Sequence, residues 1–221
     1  MKWTDIPVHV IDFEGSFRTG VVEFGIVTLV GGGIAAVETR LCRSRQKLPP
    51  EETRVHGLTD GDLLETEPFE AEWARFAALR ESGVLAAHFS ATENRLLRVV
   101  WPCPRLSPDF LNPGREIAEW GPWVDTGRLA GELLPKATPA GLESVVEKLQ
   151  LGTDLAARAK RLCPETRARF HCAPFDALAS ALVLLRLASD SAGEPWSLSR
   201  LLATSTADPA RRDDRSQTRL F

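Results

Sequence analysis

The residues in this chain best suited to chemistry are four carboxylates and an imidazole. Asp12 and Glu14 lie in Val8-His9-Val10-Ile11-Asp12-Phe13-Glu14-Gly15, Glu93 closes Ala87-His88-Phe89-Ser90-Ala91-Thr92-Glu93, and His171 and Asp176 bracket His171-Cys172-Ala173-Pro174-Phe175-Asp176. Successive side chains on a strand alternate faces, so Asp12 and Glu14 point one way while Ile11 and Phe13 point the other. The flanks Val8, Val10, Ile11 and Phe13 predict a central, buried strand, where two unpaired carboxylates would be costly without a cation. Hard divalent cations such as Mg²⁺ or Mn²⁺ take oxygen ligands, and phosphodiester-cutting sites often hold two of them roughly 3.5–4 Å apart. Asp12, Glu14, Glu93 and Asp176 are the candidate ligands. His171 is the candidate base that takes a proton from an attacking water. Each residue also has an ordinary reading: a solvated edge-strand face for Asp12 and Glu14, a capping or surface acid for Glu93, a dipole-favoured helix start for Asp176, and a surface imidazole for His171.

Residues 7–13 and 21–29 read as strands rich in Val, Ile and Phe. Gly31-Gly32-Gly33 reads as a hairpin turn into a third strand over 34–42. It does not read as a phosphate loop, because no Gly-Lys-Ser/Thr follows. Leu48-Pro49-Pro50 breaks the chain into a loop. Pro68 opens a helix that runs to Ser82 and stops at Gly83. A short buried strand over 84–88 precedes a helix beginning at Glu93, with Thr92 as its cap. Residues 101–122 hold five Pro and two Trp and read as a loop insertion. Val124 leads into a helix through Leu134, with Asp125 as its N-cap, and further helices cover about 140–150, 153–162, 175–188 and 196–203. Three strands in hairpins followed by alternating helices and short strands predict an α/β fold, a mixed sheet with helices on both faces. The expected organisation is one domain over 1–204 and a polar, charged, flexible tail over 205–221.

At 221 residues the chain fits one domain, large enough to bury about 70% of its unfolded surface. Its 43% hydrophobic and 26% charged content is ordinary for a globular protein. A net charge of −3 does not advertise a nucleic-acid binder, yet a metal nuclease concentrates acids in its site, so the two are compatible. Cys42, Cys103, Cys163 and Cys172 form no Cys-x-x-Cys pair, which argues against zinc. Charges at Lys2 and Asp5 leave no room for a signal-peptide apolar region, and the stretch from Ala177 to Leu185 is too short to span a bilayer. A reduced cytoplasmic setting with free thiols and no membrane partner is expected.

The order of these motifs resembles that of the DEDDh exonucleases, the superfamily of the bacterial proofreading subunit, ribonuclease T and oligoribonuclease. The resemblance runs from about Val8 to Leu187. It is carried by Asp12-x-Glu14, the following strand Val21-Val22-Glu23-Phe24-Gly25-Ile26-Val27, the turn His56-Gly57-Leu58-Thr59, the His88-to-Glu93 segment, Trp123-Val124-Asp125-Thr126, and His171-x4-Asp176. The family usually has Asn after the first His, where this chain has Phe89, and Asp at the place of Glu93. Glu is one methylene longer and can still ligate Mg²⁺. A sister branch carries Tyr in place of the last His; this chain contains no Tyr.

The resemblance implies a ribonuclease H-like mixed five-stranded sheet flanked by helices, two Mg²⁺ or Mn²⁺ ions held by Asp12, Glu14, Glu93 and Asp176, and His171 as the base. It implies 3′→5′ hydrolysis of nucleic-acid 3′ ends to nucleoside 5′-monophosphates. Single-stranded DNA ends in replication or repair are the leading expectation. RNA trimming, or a catalytically impaired nucleic-acid-binding adaptor in which Glu93 no longer completes the cage, are the alternatives. Substrate contacts are expected from Gly15, from Phe17 (a base-stacking candidate, or core), and from the basic run containing Arg167 and Arg169, which reads equally as a phosphate grip or a solvated face. His9, His56 and His88 read as structural. The last residues resemble the bacterial sliding-clamp peptide at Gln217, Leu220 and Phe221, with Thr218 the mismatch, which would make a clamp a partner.

Overall fold

The structure, a computed structural model, describes residues 1–190 and 192–206. Three antiparallel strands come first: β1 (Val8–Ser16), β2 (Gly20–Val30) and β3 (Gly33–Leu41). The β2–β3 turn is Gly31-Gly32, both at positive φ, the two-residue hairpin expected from the triple glycine. Helices α1 (Pro50–His56) and α2 (Asp60–Leu63) follow, then a 3-10 turn (Phe69–Glu72), α3 (Trp73–Ser82), β4 (Val84–Ala87) and α4 (Ala91–Val100). The two-residue strands β5 (Ser107–Pro108) and β6 (Glu116–Ile117) pair with each other before β7 (Trp123–Asp125). The remainder is helical: α5 (Thr126–Leu133), α6 (Leu142–Lys148), α7 (Gly152–Leu162), α8 (Ala173–Leu187) and α9 (Leu198–Ser205). The main sheet runs β3-β2-β1-β4-β7, with β4 and β7 parallel to β1. This is the expected mixed five-stranded sheet, with β1 at its centre.

The alternation of β1 divides the core. Val8 and Val10 join Val27, Leu29, Val84, Ala86 and Val124 against α8. Ile11 and Phe13 join Phe24, Ile26 and Leu85 on the other face, under Phe69, Phe76 and Leu79. Residues 173–184 of α8 are all buried, because the sheet covers one side of the helix and α5, α6 and α7 cover the rest. The Pro-rich segment after α4 is tied down by Arg80. Its buried guanidinium donates to the carbonyls of Glu119, Pro108 and Gly121 at 2.9, 3.1 and 3.1 Å.

Several boundaries differ from the sequence reading. Pro49-Pro50 does not simply break the chain, because Pro50 occupies the first turn of α1, where its missing N–H costs nothing. The helix expected from Pro68 begins as a 3-10 turn and becomes α-helical at Trp73. Helix α4 starts at Ala91 after Ser90, so Thr92 is inside it and not its cap. The last helix, expected over about 196–203, spans Leu198–Ser205, and the buried Ser205 hydroxyl donates back to the Leu201 carbonyl. No helix among the described residues is long and apolar enough to cross a membrane.

Candidate active site

Alternation along β1 sends Asp12 and Glu14 to the face that α8 covers. Asp12 pairs across the ladder with Gly25 of β2. A Cβ at Gly25 would lie 2.2 Å from the Ala173 carbonyl oxygen, so only glycine lets the first turn of α8 settle there. That turn carries Asp176. Carboxylate oxygens of Asp12, Glu14 and Asp176 lie within 4.8 Å of one another. Three of the four expected ligands, 164 residues apart at the extremes of the chain (176 − 12), thus form one cluster.

Glu93 comes from the start of α4, outside that tight trio but close enough for its charge to act on Asp12. It is buried, 5% exposed. Its Oε2 and the Oδ1 of Asp176 are buried without a hydrogen-bond partner among the described residues. Buried carboxylate oxygens ordinarily find a donor, so two orphans beside a cluster of acids fit a cation as their missing partner.

Electrostatics agree. Burial, reinforced by Asp176, Glu14, Glu93 and Glu23, holds the Asp12 carboxyl well above the usual carboxylate range. Glu14 is pushed up to about 8 by burial and then by Asp176 and Glu23, against the pull of Arg167 and Arg169. Glu93 is pushed up to about 8 by burial and the Asp125 charge. Asp176 rises to about 7 through burial, opposed by the hydrogen bond its Oδ2 accepts from the His171 backbone N–H at 3.0 Å. These acids repel protonless neighbours, and a divalent cation relieves that repulsion.

His171 is solvent-exposed on the loop before α8, at φ 61°. Its backbone bond to Asp176 fixes the ring's root next to the acidic trio. Gly15 sits at φ 115° in a bulge after Glu14, and a Cβ there would meet the Gly20 carbonyl at 2.1 Å. A cavity of about 220 Å³ opens beside it, lined by Glu14, Gly15, Glu51, Glu52, Val55 and His56. Helix α1, which the sequence reading missed, forms its far wall. His56 accepts from the Leu58 backbone N–H through Nδ1, while its buried Nε2 has no partner among the described residues. The signal for that wall was the His56-Gly57-Leu58-Thr59 turn with Glu51 and Glu52 in a first helical turn.

Phe17 is not core. It is 43% exposed in the turn after β1, with the Arg95 guanidinium 4.4 Å from its ring centre. Arg169 is exposed and donates to the His56 carbonyl at 3.2 Å. Arg167 is no free grip on a phosphate in this arrangement. It is buried, bidentate to Glu23 at 2.8 and 2.6 Å, and donates to the His56 carbonyl at 2.7 Å. Glu23 is 1% exposed and also accepts from the Ala173 backbone N–H at 2.9 Å. The pair therefore pins the loop carrying His171, and the start of α8, to β2. Sequence reasoning missed Glu23 because its partner lies 144 residues away. Asp125 caps α5 as expected. His9 and His88 are hydrogen-bonded within the fold, also as expected. Gln217, Leu220 and Phe221 lie outside the described residues.

No protein-family model matches this sequence, and no curated protein is significantly similar to it. Solved structures do share the fold. Exonuclease X, determined in complex with 5′ overhanging duplex DNA, superposes with a TM-score of 0.65 at 18% identity over 90% of this chain and 99% of its own. The nuclease domain of 3′hExo, a DEDDh family member bound to rAMP, gives 0.57 at 17% identity over 81% and 90%. Escherichia coli Exonuclease I, in complex with a dT13 oligonucleotide, gives 0.56 at 13% identity over 81% of this chain but 40% of its own. The architecture that brings Asp12, Glu14 and Asp176 together is the fold these exonucleases share.

Proposed function

We propose that this protein is a metal-dependent 3′→5′ exonuclease that releases nucleoside 5′-monophosphates from single-stranded ends, DNA ends in replication or repair in the first instance. The observation that carries the reading is the acidic trio within 4.8 Å, with a buried oxygen of its own Asp176 and one of the nearby Glu93 left without a hydrogen-bond partner among the described residues. Asp12, Glu14, Asp176 and Glu93 would hold two Mg²⁺ or Mn²⁺ ions. Such ions, when bound, lower the pKa of a bound water and neutralise charge on the leaving 3′ oxygen. His171 accepts the proton of the attacking water, with its loop held by Asp176. The cavity beside Gly15 takes the terminal nucleoside, with Val55 and His56 as its wall. The exposed Phe17 ring offers a stacking face, and Arg169 a phosphate contact at the rim.

The test uses 5′-labelled single-stranded DNA with Mg²⁺. Products should shorten stepwise from the 3′ end, yield 5′-mononucleotides, and vanish with EDTA or Asp12→Ala. Relative rates on DNA and RNA of the same sequence decide the sugar preference. Nucleic-acid binding without turnover would instead assign the adaptor role. Recruitment by a sliding clamp through Gln217, Leu220 and Phe221 is part of the proposal, and deletion of residues 217–221 should abolish clamp binding while sparing hydrolysis.

A further inference from the structure

Among the described residues, only two of the exposed large apolar side chains are aromatic, Phe17 and Phe89. Phe89 follows β4 and precedes Glu93 by four residues; β4 flanks β1 on one side, whereas Gly15 pairs with β2 on the other. Its backbone sits at φ 61°, a region bulky residues rarely adopt unless the surroundings impose it. Here they do. Asp125 accepts from the Phe89 N–H at 3.1 Å, and from the Ser90 N–H and hydroxyl at 3.0 and 3.1 Å. The ring lies against Gly127, where a Cβ would come within 2.7–2.9 Å of the ring carbons, and the His88 ring meets it edge-on at 4.7 Å. A strained turn, a glycine seat and a neighbouring ring thus hold a phenyl group that is still 39% exposed.

The Ser90 and Asp125 side of this turn opens on a cavity of about 460 Å³ whose lining also includes Asn94, Arg98, Glu119, Trp123 and Arg128. Asn94 is oriented by the Trp123 indole N–H at 3.2 Å. Arg98 and Arg128 are exposed, and among the described residues the Arg128 guanidinium has a 3.7 Å contact to Asp125, an acid already engaged by the Phe89–Ser90 turn. An exposed, fixed aromatic ring whose supporting turn also borders a guanidinium-lined cavity is the chemistry that tracks a single-stranded polynucleotide: bases stack on the ring and phosphates meet the cations.

We propose that Phe89 is a stacking platform for an internal base of the substrate strand, and that Arg98 and Arg128 hold the phosphates leading to it. The inference rests on the exonuclease reading and adds a second anchor, on the β4 side of the catalytic acids.

The experiment compares wild type with Phe89→Asn, a residue that tolerates positive φ and so keeps the turn. Binding of fluorescein-labelled dT10 in Ca²⁺, competition by dTMP, and thermal unfolding are read together. Affinity for dT10 should fall about 5- to 150-fold, the range for loss of one stacked base. Competition by dTMP and the unfolding temperature should hold. Arg98→Gln with Arg128→Gln should flatten the salt dependence of dT10 binding by a slope of about 1.4, from two phosphates on a single strand. Unchanged dT10 binding by folded Phe89→Asn, or equal losses for dT10 and dTMP, would overturn the platform alone. A wild type that neither binds nor shortens dT10 would overturn the exonuclease reading and the platform with it.

Discussion

The buried Glu23–Arg167 pair sets up the sharpest stability experiment. Glu23 is 1% exposed, and both of its oxygens are used: by the Arg167 guanidinium at 2.8 and 2.6 Å and by the Ala173 N–H at 2.9 Å. Arg167→Met keeps much of the apolar stem but leaves the Glu23 carboxylate buried with one donor. Breaking one side of a buried pair costs about 3–5 kcal/mol. At about 2–4 °C per kcal/mol for a chain of this length, the unfolding temperature should fall by about 6–20 °C. Adding Glu23→Gln removes the stranded charge, so the double variant should recover part of the loss, a coupling of about 0.5–3 kcal/mol in a double-mutant cycle. Urea unfolding of the four proteins gives the cycle directly. The alternative, a phosphate grip, has a different signature: weaker, salt-dependent substrate binding at unchanged stability. That outcome, or a single variant costing less than about 1 kcal/mol, would refute the structural role of the Glu23–Arg167 pair.

Other perturbations follow from the same geometry. Gly25→Ala forces α8 away from β2 at the Ala173 carbonyl; it should cost about 1–3 kcal/mol by overpacking and, by displacing Asp176, roughly 100-fold in kcat/KM, measured by unfolding and by oligonucleotide hydrolysis. Asp125→Ala strands the N–H groups of Phe89, Ser90 and Arg128, so urea unfolding should show a loss of about 2–4 kcal/mol, the sum of a lost cap and unpaired donors. In EDTA, stability should fall as pH rises. Glu14 and Glu93 near 8 and Asp176 near 7 in the folded chain lie above their unfolded values near 4, so the folded state holds protons the unfolded state has released. Their contribution is complete below about pH 4 and is lost through pH 7–8. A thermal scan at pH 8 should then show Mg²⁺ at 100 times its Kd raising the transition by about 5–10 °C.

The parts of the site set by short-range periodicity were legible in the sequence. Asp12 and Glu14 share a face because strands alternate, and Asp176 stands at a helix start because Pro174 and the apolar run after it announce α8. What failed was pairing at a distance and the meaning of breakers. Glu23 sits in an apolar strand with no local sign of its partner Arg167, so Arg167 was read with its basic neighbours and not as a buried ion. Pro49-Pro50 reads as a break, but a proline in a first turn with two acids after it starts a helix as readily, and that ambiguity hides α1 and the cavity it walls. Of the two readings of Phe17, base-stacking ring or core, the turn decides against core by projecting it outward under Arg95. In sequence Phe89 shows only as a departure from the Asn of the family the motifs resemble, a residue that suits a left-handed backbone. The cost of that backbone for a phenylalanine, and the glycine that accepts its ring, exist only in three dimensions.

The account stands on acids that converge to bind divalent cations. Calorimetric titration of Mn²⁺ into wild type and Asp12→Asn at pH 8, with proton release followed in two buffers, measures this without any substrate. Wild type should bind Mn²⁺ and release protons as the raised carboxyls ionise, and Asp12→Asn should lose most of that binding while unfolding at a higher temperature in EDTA. Mn²⁺ binding that is absent in wild type, or unchanged by Asp12→Asn, would contradict the metal centre and the hydrolysis built on it.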